Sequence, residues 1–336
     1  MITPPLGQAA ALGDKEWRQM IHGRRRWLRL LALTLVMVAG GGFAPARADA
    51  PPINVIASFS IIGDMVREVG GDRVRVTTLV GADGDAHVYQ PTPADARQVA
   101  AARIVFVNGL GFEGWLDRLV KAAAFTGPVV VVSAGVKPLT IADDHDHGHG
   151  HKDGKGGHDH GSIDPHAWQS LANGALYVRN IQAALAAADP AGAAVYQANA
   201  ERYLAEMAAL DQEVRQAIGK LPPERRVVVT SHDAFGYFTK AYGLRFLAPE
   251  GVSTESEASA KDVARLIRQI RAERIPAVFM ENITDPRLIE QIRRETGAVA
   301  GGVLYSDALT GPDGGAPTYL LMFRHNVATL TRALGA

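Results

Sequence analysis

The chain of 336 residues contains no cysteine. That absence excludes disulfides, a thiolate zinc site, a cysteine nucleophile and a lipid-bearing cysteine. There is no surplus of charge either, since 35 basic residues balance 35 acidic ones. Residues 1–48 hold seven of the basic and two of the acidic residues, which leaves 28 against 33, a net −5, for the remainder. A mildly acidic body argues against nucleic acid or an anionic membrane as a partner. No apolar run is long enough to span a bilayer: Leu30 to Gly42 falls short of the roughly 20 residues required.

What is present begins with a targeting pattern. Arg24-Arg25-Arg26 precedes that short apolar run, and Ala46-Arg47-Ala48 offers small residues at cleavage spacing. Residues 1–48 therefore read as a signal peptide, by the ordinary secretory route or the twin-arginine one. Met20 is an alternative start, because the stretch before Arg24 is long for a signal's first region. The mature chain is expected to begin near Asp49, exported to the periplasm and soluble.

Six of the eleven histidines (His145, His147, His149, His151, His158 and His160) lie in a Gly/Asp/Lys-rich tract with almost nothing apolar to bury. Such a segment cannot offset its ordering entropy, so residues 143–162 read as a mobile surface loop. Its imidazoles and carboxylates suit zinc, copper or nickel; a solvated linker is the bland alternative. His166 lies past the tract, where Pro165 restricts the backbone and Trp168 can anchor the chain in a core. The tract reads as a collector of ions and His166 as a fixed ligand.

Apolar runs alternate with helical patterns from Ile53 onward. Strands are expected over Ile53–Phe59, Val74–Val80, Ile104–Val107 and Val129–Val132, with helices over Ile61–Val69, Pro93–Ala102 and Glu113–Ala123. The alternation restarts with strands at Val227–Thr230, Leu244–Leu247, Ala277–Met280 and Val299–Val303. Helices are expected between them and at Tyr319–Leu334. Between the two series come helices Trp168–Ala188 and Ala191–Ile218, the second long enough to reach roughly 40 Å. The expected fold class is α/β: two βα lobes with parallel sheets, joined by a long rigid linking helix. The expected limits are 49–188 for the first lobe, 189–222 for the link and 223–336 for the second lobe.

Four residues each follow an expected strand: His87, His166 (by way of the His tract), His232 and Asp307. Open α/β sheets bind ligands beyond the carboxyl ends of their strands, so these loops can share one cleft. Three imidazoles and one carboxylate make a four-coordinate set that suits Zn2+. Each also has a bland reading, as a turn residue, a core histidine or a helix cap. Their wide separation in the chain fits no local metal motif.

Four words decide between these readings. His87-Val88-Tyr89-Gln90-Pro91-Thr92-Pro93-Ala94-Asp95, Asp164-Pro165-His166-Ala167-Trp168, Ser231-His232-Asp233-Ala234-Phe235-Gly236-Tyr237-Phe238 and Leu304-Tyr305-Ser306-Asp307-Ala308-Leu309 occur in that order. Together they resemble the metal-binding solute-binding proteins of zinc and manganese ABC transporters (cluster A-I), over Ile53 to the C-terminus. The resemblance implies that His87, His166, His232 and Asp307 bind the metal, with His at the third position in zinc-type members and commonly Glu in manganese-type ones. A His-rich loop before the Asp-Pro-His word is itself common in zinc-type members. Where some zinc members carry a carboxylate just before the first ligand, this chain has Ala86, which leaves Asp307 as the fourth.

The resulting expectation is an exported, monomeric zinc receptor that is not an enzyme. It would hand Zn2+ to an ABC-type permease of the inner membrane and take neither nucleic acid nor a small organic substrate. Manganese uptake is the nearest rival, although Mn2+ prefers oxygen-rich sites. A zinc hydrolase with Asp307 as general base and an open metal position is a rival from another class. A periplasmic zinc buffer without a transporter is a third. Glu255 and Glu257 are loop acids whose approach to the site is left open.

Overall fold

In a computed structural model, residues 51–140 and 163–335 are described. The expected signal segment 1–48 and the six histidines of the tract 143–162 lie outside them.

The first sheet is built from β1 (Ile53–Phe59), β2 (Val74–Val80), β3 (Ile104–Val107) and β4 (Val129–Val131), ordered β2-β1-β3-β4 and parallel throughout. The second comprises β7 (Val227–Val229), β8 (Arg245–Leu247), β9 (Ala277–Glu281) and β10 (Val299–Leu304), ordered β10-β9-β7-β8 and again parallel. All four residues of β3 are buried, as expected of a strand covered on both faces. Helices α1 (Ser60–Gly70), α2 (Pro93–Ala100), α3 (Leu116–Ala122) and α4 (Leu171–Ala188) accompany the first sheet. In the second half come α6 (Gly236–Tyr242), α7 (Ala260–Glu273), α8 (Arg287–Thr296) and α9 (Tyr319–Leu334).

Two local expectations are corrected. The helix expected from Glu113 starts at Leu116, because the Glu113 side chain turns inward and accepts from Ser58 Oγ (2.7 Å) and the backbone N–H of Asn108 (2.6 Å). Trp168 lies in a short 3-10 turn, Ala167–Gln169, ahead of α4 rather than in it. A two-stranded antiparallel ribbon, β5 (Leu139–Thr140) with β6 (Ile163–Asp164), flanks the His tract and was too short to read from periodicity.

The long helix α5 (Ala193–Gly219) has 27 residues. It packs against α1 and α4 of the first half and against α6 and α9 of the second. Polar contacts are spread along it. Asn199 donates to the Val69 carbonyl (3.1 Å), and Arg202 pairs with Glu68 (2.8 Å). Further on, Asp211 accepts from Tyr242 Oη (2.9 Å), and Glu213 pairs with Arg324. Pro51–Ala336 is one compact unit, so the two sheets share a core across this helix. We propose that α5 acts as the strut between lobes with the limits expected above.

Asp64 of α1 ties both halves to that strut. Its buried Oδ2 accepts the backbone N–H of Tyr319, at the start of α9, at 2.8 Å and faces Tyr203 Oη of α5 at 3.5 Å. Burial, aided by Glu68, outweighs this hydrogen bond and the nearby Arg67, and pushes the carboxyl up from 3.8 to about 6. A raised carboxyl means that the folded state keeps its proton where the unfolded chain has lost it, so stability falls as pH rises between those two values. Above pH 6 the ionised form costs about 3 kcal/mol. Asp64→Asn retains an acceptor for Tyr319 and is expected to raise the melting temperature by a few degrees at about pH 7.5. Melting curves should show that advantage vanish near pH 4; an advantage independent of pH would refute this account.

Candidate metal centre

The ends of the strands deliver the site. His87 follows β2, His232 and Asp307 each lie just beyond β7 and β10, and His166 follows the ribbon strand β6. All four are buried, with His166, His232 and Asp307 at 0% exposure and His87 at 7%. One donor atom from each lies within 4.8 Å of every other. Asp307 Oδ2 stands 3.1 Å from His232 Nε2, 3.2 Å from His87 Nε2 and 3.6 Å from His166 Nε2. The Nε2 atoms of His87 and His166 are 3.4 Å apart. All four residues expected from the sequence therefore meet, two from each half of the chain.

Local chemistry explains how each loop holds its residue. Asp85 Oδ1 accepts the backbone N–H of His87 (2.9 Å), and its Oδ2 takes the Thr254 hydroxyl (2.6 Å) from the other half. Trp115 donates to the Ala86 carbonyl at 2.8 Å. Asp164 Oδ1 accepts the backbone N–H of His166 (2.9 Å) and lies 2.8 Å from its Nδ1. A side chain at Gly236 would run into the Asp164 carboxylate, so the glycine of the third word admits this close approach. Trp168 and Gln169 both donate to the Ser306 carbonyl, at 2.8 and 2.7 Å, which ties the second word to the fourth beside Asp307. Phe112 lies edge-on to His87 (4.7 Å) and Trp168 edge-on to His166 (5.2 Å), giving the site apolar walls.

The sequence reading missed Glu281. This buried residue ends β9, and its Oε1 accepts the backbone N–H groups of Ser231 (2.8 Å) and His232 (3.0 Å). Its Oε2 lies 2.8 Å from His232 Nδ1. The angle there misses that of a hydrogen bond, and neither atom has another partner. With both enclosed, the distance is the deciding fact. An acidic residue at the carboxyl end of a strand was the available signal. Glu255 and Glu257, the acids considered instead, are exposed. Glu257 lines a cavity of about 450 Å3 with Asp85, Glu250 and Asp285.

The electrostatics are those of a site built around charge. Burial pushes the Asp307 carboxyl up, but His166 and His232 beside it overcome this and hold it well below the usual range. For His166, burial acts downward, and Asp307 with Asp164 outweighs it, raising the imidazole to about 9. His232 is likewise lowered by burial but raised well above its usual 6.5, by Glu281 and then Asp307. Asp307 Oδ1 is buried without a hydrogen-bond partner. An orphaned carboxylate oxygen beside three imidazole nitrogens is a donor set for a divalent cation.

A family model described as the periplasmic component A of the zinc-uptake complex, ZnuA, matches residues 55–333. The iron-binding protein YfeA of Yersinia pestis is 34% identical over 286 residues, covering 85% of this chain and 88% of that protein. The manganese-binding lipoprotein MntA of Halalkalibacterium halodurans is 32% identical, covering 90% and 96%. Among solved structures, the periplasmic zinc binding protein TroA of Treponema pallidum superposes with a TM-score of 0.76 at 29% identity, covering 85% of this chain and all (100%) of that one. A Mn-bound periplasmic metal binding protein from Candidatus Liberibacter asiaticus gives a TM-score of 0.73 at 33% identity, covering 84% and 99%.

Proposed function

Since the chain belongs to the ZnuA family of periplasmic metal receptors, we propose that its cargo is Zn2+, held by His87, His166, His232 and Asp307. The family consists of solute-binding proteins that serve ABC transporters, not enzymes, which removes the hydrolase alternative. No described helix is long and apolar enough to cross a membrane. The relatives carry manganese, iron and zinc in their names, so membership alone fixes only a divalent metal.

The observation that carries the choice of zinc is the donor set. Three imidazole Nε2 atoms and one carboxylate oxygen converge in a buried pocket. Mn2+ lies at the weak end of the affinity series and favours oxygen ligands, whereas imidazole suits zinc. The capture step is an exchange, in which the ion takes the place of protons on the imidazoles. Within this reading the signal segment is removed on export, and the tract 143–162 collects ions by its histidines. The monomer then presents Zn2+ to a zinc permease of the inner membrane.

His232 separates zinc from manganese. His232→Ala is expected to weaken zinc binding by about 100-fold or more, since it removes one of four ligands that together supply about 10–16 kcal/mol in typical closed zinc sites. His232→Glu is expected to narrow the preference for zinc over manganese. Competition titration of both metals measures each effect, beside the metal content of protein isolated without chelator. Unaltered zinc affinity in His232→Ala would remove this residue from the ligand set; a wild-type preference for manganese would overturn the choice of zinc.

A further inference from the structure

An imidazole that gives Nε2 to a metal ion must keep its hydrogen on Nδ1, because a ring nitrogen that carries a proton has no lone pair to offer. We propose that Glu281 is the positioning residue that holds this hydrogen on His232 Nδ1, and that only a carboxylate can do so at this place. The inference rests on the ligand reading of His232 above.

The argument lies in how the two oxygens divide their work. Oε1 faces two backbone N–H groups, of Ser231 and His232, at 2.8 and 3.0 Å. Those groups can only donate, so this position demands an acceptor. Oε2 faces Nδ1 at 2.8 Å, and neither atom has any other partner. A carboxylate accepts at both places. The isosteric amide of Glu281→Gln cannot: the backbone donors claim its single oxygen, and its NH2 is turned against Nδ1. Donor then meets donor. The ring escapes by leaving Nδ1 bare and putting its hydrogen on Nε2, where Asp307 Oδ2 waits at 3.1 Å. A metal ion at Nε2 must drive that hydrogen back to Nδ1, against the amide's NH2.

Asp164 provides the internal contrast. There one oxygen, Oδ1, serves both the backbone N–H and Nδ1 of His166, at 2.9 and 2.8 Å. The amide of Asp164→Asn can place its single oxygen where both donors need it. Two outer carboxylates of the same chemistry thus answer the same substitution in opposite ways.

The test uses the exported chain with histidine ring nitrogens labelled with 15N. In the metal-free wild type, His232 Nδ1 should carry a hydrogen that exchanges slowly with water; in Glu281→Gln it should be bare, with the hydrogen on Nε2. Zinc affinity should fall by about 10–100-fold in Glu281→Gln, the range for loss of an outer partner of a metal-bound imidazole. The loss should be greater than in Glu281→Ala and greater than in Asp164→Asn. Stability should follow the reverse order, because Glu281→Ala strands two backbone N–H groups that Glu281→Gln still satisfies. A protonated Nδ1 in Glu281→Gln, or affinity losses that follow stability losses, would reduce Glu281 to a structural role. A bare or rapidly exchanging Nδ1 in the wild type would overturn the proposal without any variant. The ring signature is read without metal, so an unaffected His232→Ala protein would sink the ligand reading alone.

Discussion

Zinc affinity is expected to fall by about two to three orders of magnitude in Asp307→Ala. Closed zinc sites bind with about 10–16 kcal/mol in total, or about 2.5–4 kcal/mol for each of four ligands. Asp307 is also the only anion in the set, and its Oδ2 is the atom on which all three Nε2 atoms converge. Its removal acts on the metal-free protein as well. His166 and His232 lose a negative neighbour that raises them, so fewer protons must leave when zinc arrives. That partly offsets the loss and places its larger value at alkaline pH, beyond the His166 value of about 9, where proton competition in the wild type weakens. Displacement of a chelating dye measures the change. A loss of less than about tenfold would show that Asp307 balances charge without holding the ion.

The second large effect is on pH. With His166 raised to about 9 and His232 raised well above its usual 6.5, both imidazoles carry protons in the metal-free pocket at neutral pH. Asp307, held well below the usual range, stays ionised throughout. Each bound ion must then release one to two protons, so affinity should climb about 10–100-fold per pH unit between pH 6 and 8 and less steeply once pH passes the His166 value of about 9. The sign for folding is opposite. A raised imidazole stabilises the metal-free fold fully below its unfolded value of 6.5, and that stabilisation is lost as pH rises through about 9. Calorimetry in buffers of differing ionisation enthalpy counts the protons. An affinity that is flat from pH 6 to 8 would mean that the imidazoles are neutral before the ion arrives.

The legibility of the chain divides along a physical line. β3 could be read because Ile-Val-Phe-Val is buried on both faces and carries its own apolar signal. The linking helix was equally plain, with Pro190 before it and Pro222-Pro223 after it. Helix starts were less so: Glu113 has the composition of a first-turn residue, yet its carboxylate is used by Ser58, far away in sequence. The four site residues were legible as words at the ends of strands, in an order that resembled a known family.

Glu281 had the same address, at the end of β9, but no word around it. Glu255 and Glu257 drew attention instead because they stand in a loop rich in acids. By itself, then, the sequence determined the strands, the strut and which side chains wait at strand ends, because those depend on neighbours a few residues apart. The tertiary structure alone decided that donors from the two halves of the chain meet within 4.8 Å. It alone set Glu281 and Asp164 behind two of the imidazoles and left Asp307 Oδ1 without a partner. A ring's hydrogen and a carboxylate's charge answer to atoms that touch in space, and β7, β9 and β10 are brought together only when the second sheet has formed.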